Sequence, residues 1–244
     1  YLFLFLWAFY TYCREKGWLP KKSVKEKHIF ITGAGSGLGS GMTLKFAKRG
    51  ANITISDINE TGLLETKKMV KDLTGKDDNI LTIKLDVSNR QQIADGAEQA
   101  RTQFGHVDIL INNAGIVQGK EIMDMNEALA SKSLVVNLEC HIWLIREFLP
   151  NMLKENEGHI VSIASVAGII GSPKMSDYSA SKFGAVGLME SLRVEFKRNN
   201  KNIKCTTVCP FFINTGMFDG AKGNVFFPML EPDFVINRII NGIL

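Results

Sequence analysis

Six short runs rich in Ile, Val and Thr recur along the chain: HIFIT, ANITISD, NILTIKLD, VDILINNAG, GHIVSIAS and IKCTTVCP. Runs of that composition and length read as strands. Between them lie stretches of helical periodicity, such as GLGSGMTLKFAKRG and NRQQIADGAEQARTQFG, and several close on Gly. Strands that are apolar throughout are buried on both faces, and their alternation with helices demands a parallel sheet covered on both sides. The prediction is an α/β protein: a doubly wound parallel sheet in a single domain over residues 27–244, preceded by a distinct segment over residues 1–26. A length of 244 residues fits one such domain better than two, and a hydrophobic share of 45% supplies its core.

The first strand runs straight into TGAGSGLG, Thr32 to Gly39. The G-x-G-x-x-G spacing is not met, because Leu38 falls where the third glycine belongs. Gly33, Gly37 and Gly39 nevertheless permit a tight turn and a close backbone approach, and the helix that follows offers its N-terminus to a pyrophosphate. A glycine-rich loop between a buried strand and a helix is the context of a Rossmann-type dinucleotide site. The second strand ends in ISD, placing Asp57 20 residues beyond Gly37. An acid there accepts hydrogen bonds from ribose hydroxyls and repels a 2′-phosphate, so NAD is favoured and NADP is the less favoured cofactor. Asp57 also has a plain reading as a turn residue. Asp86, ending the third strand, would border an adenine or would cap the following helix.

What the composition excludes is equally useful. A net charge of +4 comes largely from the segment between Arg14 and Lys27, so no nucleic-acid surface is indicated. Cys13, Cys140, Cys205 and Cys209 lack CxxC spacing, and the four histidines are isolated; no metal site and no disulfide framework is expected. The opening YLFLFLWAFYTYC is almost unbroken apolar sequence followed by Arg14, Lys16, Lys21, Lys22, Lys25 and Lys27. It is shorter than the roughly 20 apolar residues of a spanning helix. The basic residues follow the apolar run and no cleavage site appears, which argues against a signal peptide. Interfacial aromatics favour a membrane anchor or hairpin with a cytosolic catalytic side; a buried extra helix is the alternative.

DYSASK sets Tyr178 four residues before Lys182, which puts phenol and ammonium on one helical face. Together TGAGSGLG, NNAG at 112–115, Asn137, Ser165 and the Tyr178/Lys182 pair resemble, in order, the short-chain dehydrogenase/reductase family. The resemblance runs from about Lys27 to Leu244. Within that family the apolar N-terminus, YSASKF and CPFFINTG are similar to the membrane-associated retinol dehydrogenase and 17-beta-hydroxysteroid dehydrogenase branch.

The resemblance implies four catalytic residues. Tyr178 is the general acid/base, Lys182 lowers its pKa and holds the nicotinamide ribose, Ser165 bonds the substrate oxygen, and Asn137 holds a water that relays protons to Lys182. It further implies cofactor contacts from Gly33, Ser36, Gly37, Leu38, Gly39, Asp57, Asp86, Val87, Asn113, Ala114, Gly115, Pro210 and Thr215, the last at the carboxamide end. Phe211 departs from the pattern, standing where many members have Gly after the Pro. The bland alternatives are that Ser165 ends a strand of small packing residues and that Asn137 is an ordinary mid-helix polar residue.

A free tyrosine has a pKa near ~10, so a base at neutral pH requires on the order of 4 kcal/mol of differential stabilisation. A neighbouring ammonium and an oxidised nicotinamide are suited to supply it. Ile169, Ile170, Met217, Phe218, Phe226 and Phe227 make the segments expected on the substrate side apolar, with Ile169, Met217 and Phe218 as candidate lining residues. Combined with an anchor they point to a small lipophilic alcohol such as a retinoid, steroid or fatty alcohol. The expected partners are that substrate, a membrane of the endoplasmic reticulum or a lipid-droplet surface, and a second copy of the chain, paired through the long helices about Asn126–Glu155 and Tyr178–Arg198. The competing functions are an NADPH-dependent carbonyl reductase on the same fold and a catalytically silent membrane-surface scaffold.

Overall fold

The structure, a computed structural model, describes residues 22–216 and 229–244 and the single positions Leu6, Phe9 and Cys13. Met217, Phe218 and nearly all of the apolar run at the N-terminus lie outside the described residues. Six parallel strands form one sheet in the order β3-β2-β1-β4-β5-β6, where β1 is His28–Thr32, β2 Asn52–Asp57, β3 Ile80–Lys84, β4 Ile109–Asn112, β5 Gly158–Ile163 and β6 Ile203–Val208. The chain starts at the centre, winds outward to β3, then returns across β1 to build the other half. That reversal between β1 and β4 opens a crevice at the carboxyl ends of the strands, where such sheets bind ligands.

Helices cover both faces. On one lie α1 (Gly37–Ala47), α2 (Glu60–Thr74) and α7 (Pro232–Ile243). Ile29, Ile31, Ile53, Ile55, Ile109 and Ile111 point into this layer and meet Met42, Phe46, Val70, Ile236 and Ile240. The other face carries α3 (Arg90–Phe104), α4 (Glu127–Leu134), α5 (Cys140–Glu155) and α6 (Ser176–Arg198), packed on Phe30, Leu110 and Ile160. Alternate residues of one strand thus feed two separate cores, which is why the strands read as continuously apolar.

Local chemistry sets the helix ends. Asn59 and Asn89 accept backbone N–H bonds at the starts of α2 and α3, and Gly75, with φ of 78°, closes α2 in the left-handed region. The span Glu127–Glu155 is the one stretch among the described residues long and apolar enough to cross a membrane. Cys140, Leu144, Ile145, Phe148 and Met152 on it are buried in the domain core, so it is a core helix here. Leu134 on α4, Ile142 on α5, and Phe183 and Val194 on α6 leave apolar side chains exposed.

Candidate active site

The phosphate loop is shaped by close backbone packing. Gly33 has φ of 64° and Gly37 φ of 54°, conformations that disfavour any side chain. A Cβ on Gly33 would come 2.8 Å from the Ala114 Cα, and one on Gly39 would collide with the Gly33 carbonyl oxygen. The turn is stitched to the end of β4: the Asn113 amide nitrogen donates to the Thr32 and Gly33 carbonyls at 2.8 and 2.9 Å. The Thr32 hydroxyl accepts from the main-chain N–H groups of Asn113 and Ala114, both at 3.0 Å. At the start of α1, Ser36 makes no side-chain cap bond and the first turn holds no acid. The N–H groups of that turn are left to an anion, as a pyrophosphate needs.

Asp57 sits at the end of β2, where its Oδ2 accepts the Gly35 N–H at 2.9 Å and its Oδ1 accepts the Asn59 N–H at 2.9 Å. It therefore acts as the turn residue and also borders the cleft. Each carboxylate oxygen keeps a further lone pair for a ribose hydroxyl.

At the other side of the cleft α6 delivers Tyr178 and Lys182. Tyr178, Ser181, Lys182, Ala185 and Met189 form its buried stripe, at helical spacing. Ser165, just beyond β5, hydrogen-bonds the Tyr178 phenol. Its Oγ also accepts the Ala167 N–H at 3.1 Å, which fixes the hydroxyl's position. Gly168 lets this turn lie against α6, since a Cβ there would be 2.6 Å from the Lys182 carbonyl. The small residues after Ser165 thus serve packing while Ser165 itself faces the cleft.

Burial pushes the Tyr178 phenol above its ordinary pKa, and the Ser165 hydrogen bond opposes the shift. The Lys182 ammonium donates to the Ile163 carbonyl at 2.8 Å and lies 5.6 Å from the centre of the phenol ring. Burial also brings Lys182 itself down to about 8, with Cys140 and Cys209 pulling it back up.

Asn137 lies in a π-helical turn, Val135–Glu139, between α4 and α5. Its Oδ1 accepts the Ile116 N–H at 2.8 Å, and its amide nitrogen donates to the Ile116 carbonyl, Ser133 Oγ and Ser181 Oγ at 2.9 to 3.1 Å. The side chain is occupied in tying the loop after β4 to α6. A Cβ on Gly115 would come 3.3 Å from Asn137 Oδ1 and 3.7 Å from Lys182 Nζ, so the three converge on one side of the cleft.

One cleft of about 550 Å³ gathers Gly33, Ser36, Gly37, Leu38, Asp57, Asn113, Ala114, Gly115, Ser165, Tyr178, Lys182, Pro210 and Thr215. Among the other expected residues, Gly39 packs beneath the loop and Asn137 stands behind the wall. Val87 is buried in the core under α3. The Asp86 carboxylate accepts the Ser88 N–H and hydroxyl at 2.9 and 2.6 Å within its own turn, while the cap of α3 falls to Asn89. Ile169 is 57% exposed and outside the cleft. Thr215 lies over Gly37 of the phosphate loop, where a Cβ on that glycine would be 3.6 Å away, whereas the resemblance implies the carboxamide end. The walls not foreseen residue by residue are Ile116, Val117, Ile163, Ala164, Phe211, Ile213 and Gly216. Phe211 packs edge-on against Phe212 at 4.9 Å, and the main-chain link of that turn survives as Val166 N–H to the Pro210 carbonyl at 2.9 Å.

The family model for short chain dehydrogenases matches residues 27–224. The chain belongs to the short-chain dehydrogenase/reductase family. It is 42% identical to short-chain dehydrogenase/reductase family 16C member 6 of Bos taurus, over all of this chain and 77% of that protein. It is 42% identical to epidermal retinol dehydrogenase 2 of Mus musculus and 40% to retinol dehydrogenase 10-B of Danio rerio, each match covering 92% of this chain and 73% of the relative. These relatives place it on the retinol dehydrogenase side of the family. Among solved structures, a short-chain dehydrogenase/reductase from Burkholderia phymatum in complex with NAD superposes with a TM-score of 0.82 at 28% identity, over 91% of this chain and 87% of the other. Membership makes the chain an NAD(P)-dependent oxidoreductase that acts on alcohols by hydride transfer.

Proposed function

We propose that the cleft interconverts the hydroxyl and carbonyl of a lipophilic alcohol (a retinoid, steroid or fatty alcohol) using NAD, with Tyr178 as general acid/base. The observation that carries this reading is the Ser165–Tyr178 hydrogen bond at the floor of a cleft whose opposite end is a backbone-lined phosphate loop. Ile116, Val117, Ile163, Phe211 and Ile213 give the cleft apolar walls suited to such a substrate. The retinol dehydrogenases among the relatives support the same class.

The nicotinamide, when bound, supplies the hydride acceptor and a positive charge near the phenol. Gly33, Gly37 and the start of α1 would hold its pyrophosphate, and Asp57 the adenosine ribose. Ser165 would donate its single hydroxyl hydrogen to the substrate oxygen, holding that oxygen beside the Tyr178 phenol. Tyr178 takes the alcohol proton as hydride leaves, or returns it in the reverse direction. Lys182, lowered by burial to about 8 and standing on the same helix face, would supply the ammonium that favours an ionised Tyr178. Asn137 keeps the wall behind Lys182 in register. Segment 1–26 would associate with the membrane of the endoplasmic reticulum or a lipid droplet, leaving the catalytic domain in the cytosol.

A turnover screen with NAD in detergent or liposomes, spanning retinol, steroids and long-chain alcohols, tests the assignment. Tyr178→Phe should lower kcat/KM on the best substrate by about 10²–10⁴-fold while leaving NADH binding intact. Unchanged turnover in that variant would remove Tyr178 from the chemistry.

A further inference from the structure

A second cavity, of about 440 Å³, lies at the end of the sheet remote from the cleft, where β6 begins and α6 and α7 end. Its rim is basic. Lys197 comes from the last turn of α6, Lys201 from the turn that follows, and Lys204 from β6. Arg193 also lines it but is paired with Glu190. Among the described residues the three lysines have no carboxylate partner. Lys22 joins them: its main-chain N–H donates to the Leu244 carbonyl at 2.7 Å, on the cavity wall. Burial and the neighbouring Lys204 charge hold the Lys22 ammonium below its ordinary pKa.

Lys22 also feels the carboxylates of Glu157 and Asp108, but the three rim lysines repel one another, and an anion relieves them. The dipole of α6 accounts for Lys197 and Arg198 in its last turn. It does not account for Lys201 and Lys204, which lie beyond the helix, or for Lys22, which belongs to another segment.

The position of Lys22 indicates which anion. Lys22 leads directly back to the apolar run Tyr1–Cys13 through Arg14, Lys16 and Lys21. From Cys13 to Lys22 the chain reaches at most about 30 Å when fully extended. An apolar segment lodged in a bilayer would therefore tether this end of the domain close to the headgroups. Basic clusters beside a membrane segment match anionic lipid, because the negative surface potential of such a leaflet attracts each charge. We propose that the cavity rimmed by Lys197, Lys201 and Lys204 binds the phosphate of an anionic phospholipid headgroup, seating this end of the domain on the membrane. The inference rests on the membrane-associating reading of segment 1–26.

The test compares vesicles of phosphatidylcholine alone with vesicles that also contain phosphatidylserine, using the full chain and the triple variant Lys197→Gln/Lys201→Gln/Lys204→Gln. The full chain should bind both and prefer the anionic vesicles, a preference that shrinks as salt rises. The triple variant should keep its turnover and its binding to neutral vesicles while losing affinity for anionic ones, on the order of tenfold or more. If the variant retains the whole preference, the linker cations are responsible and the proposal falls. If calorimetry shows inorganic phosphate bound at the three lysines while phosphatidylserine adds nothing, the lipid assignment falls. Failure of the unmodified chain to bind neutral vesicles overturns the anchor reading alone, and the effect of the variant on anionic vesicles still decides the cavity.

Discussion

Asp57 does two things with one carboxylate. It closes the turn after β2 through the Gly35 and Asn59 N–H groups, and it presents its remaining lone pairs to the cleft. The turn reading is realised, and it leaves acceptor sites for a ribose, because a carboxylate has more of them than a turn consumes. Asp57→Ala should therefore act twice. Loss of charged hydrogen bonds to the ribose should raise KM for NAD by about 10- to 100-fold, while KM for NADP changes less or falls. The unpaired Gly35 and Asn59 amides should also lower stability by about 1–2 kcal/mol. Steady-state kinetics with both cofactors, alongside urea denaturation, checks the two effects separately; a clear NADP preference in the unmodified protein would refute the cofactor assignment. Asp86 shows the converse case. From sequence it is as well placed as Asp57, yet its carboxylate turns to Ser88, and the difference is one of side-chain direction after a strand end.

At the scale of elements, the passage from α4 to α5 governs the floor of the site. A π-helical turn there admits an extra residue per turn and swings Asn137 under the loop after β4. Helical periodicity alone cannot reveal such a turn, since its composition is that of an ordinary helix. Asn137→Ala would leave the Ile116 N–H and carbonyl without their partner and free two serine hydroxyls. The expected cost is about 3 kcal/mol, which corresponds to a fall of roughly 6–12 °C in Tm for a domain of this size. Differential scanning calorimetry checks it; an unchanged Tm would mean the amide is not the clamp described. The strands were legible element by element because burial on both faces writes itself into a continuous run of Ile and Val. The residues lining the substrate end were not, because Ile116, Val117 and Ile213 look like any other core residue until loops from three strands meet.

Three buried histidines give the whole molecule a pH dependence: burial lowers His28 as well as His141 and His159. His141 is held against Ser162 in the core beneath the site, and burial, helped by the Lys182 charge, brings it down to about 3. His159 bonds Thr206 and is likewise lowered to about 3 by burial, with Lys22 and Lys204 adding to it. Both are neutral in the fold, whereas in the unfolded chain they take a proton near pH ~6.5. Between those values the unfolded state binds more protons, so stability falls as pH drops through that window. The loss from each should be about 2 kcal/mol between pH 7 and 5, above the range where the lowered carboxylate of Asp86 contributes. Urea denaturation of His141→Gln at the two pH values should show a visibly smaller drop than the unmodified protein. An equal drop would place the protons elsewhere.

The sheet, the phosphate loop and the shared helical face of Tyr178 and Lys182 were legible in the sequence because each rests on local spacing, whereas Ser165 was named by the family resemblance. How those groups meet was set by packing. It spent Lys182 on the Ile163 carbonyl, turned Asp86 and Val87 away from the cleft, and engaged Asn137 in a clamp. It also gathered Lys22, Lys197, Lys201 and Lys204 at the far end of the sheet. Charges separated by up to 182 positions in the chain become neighbours only when the strands and helices carrying them are packed.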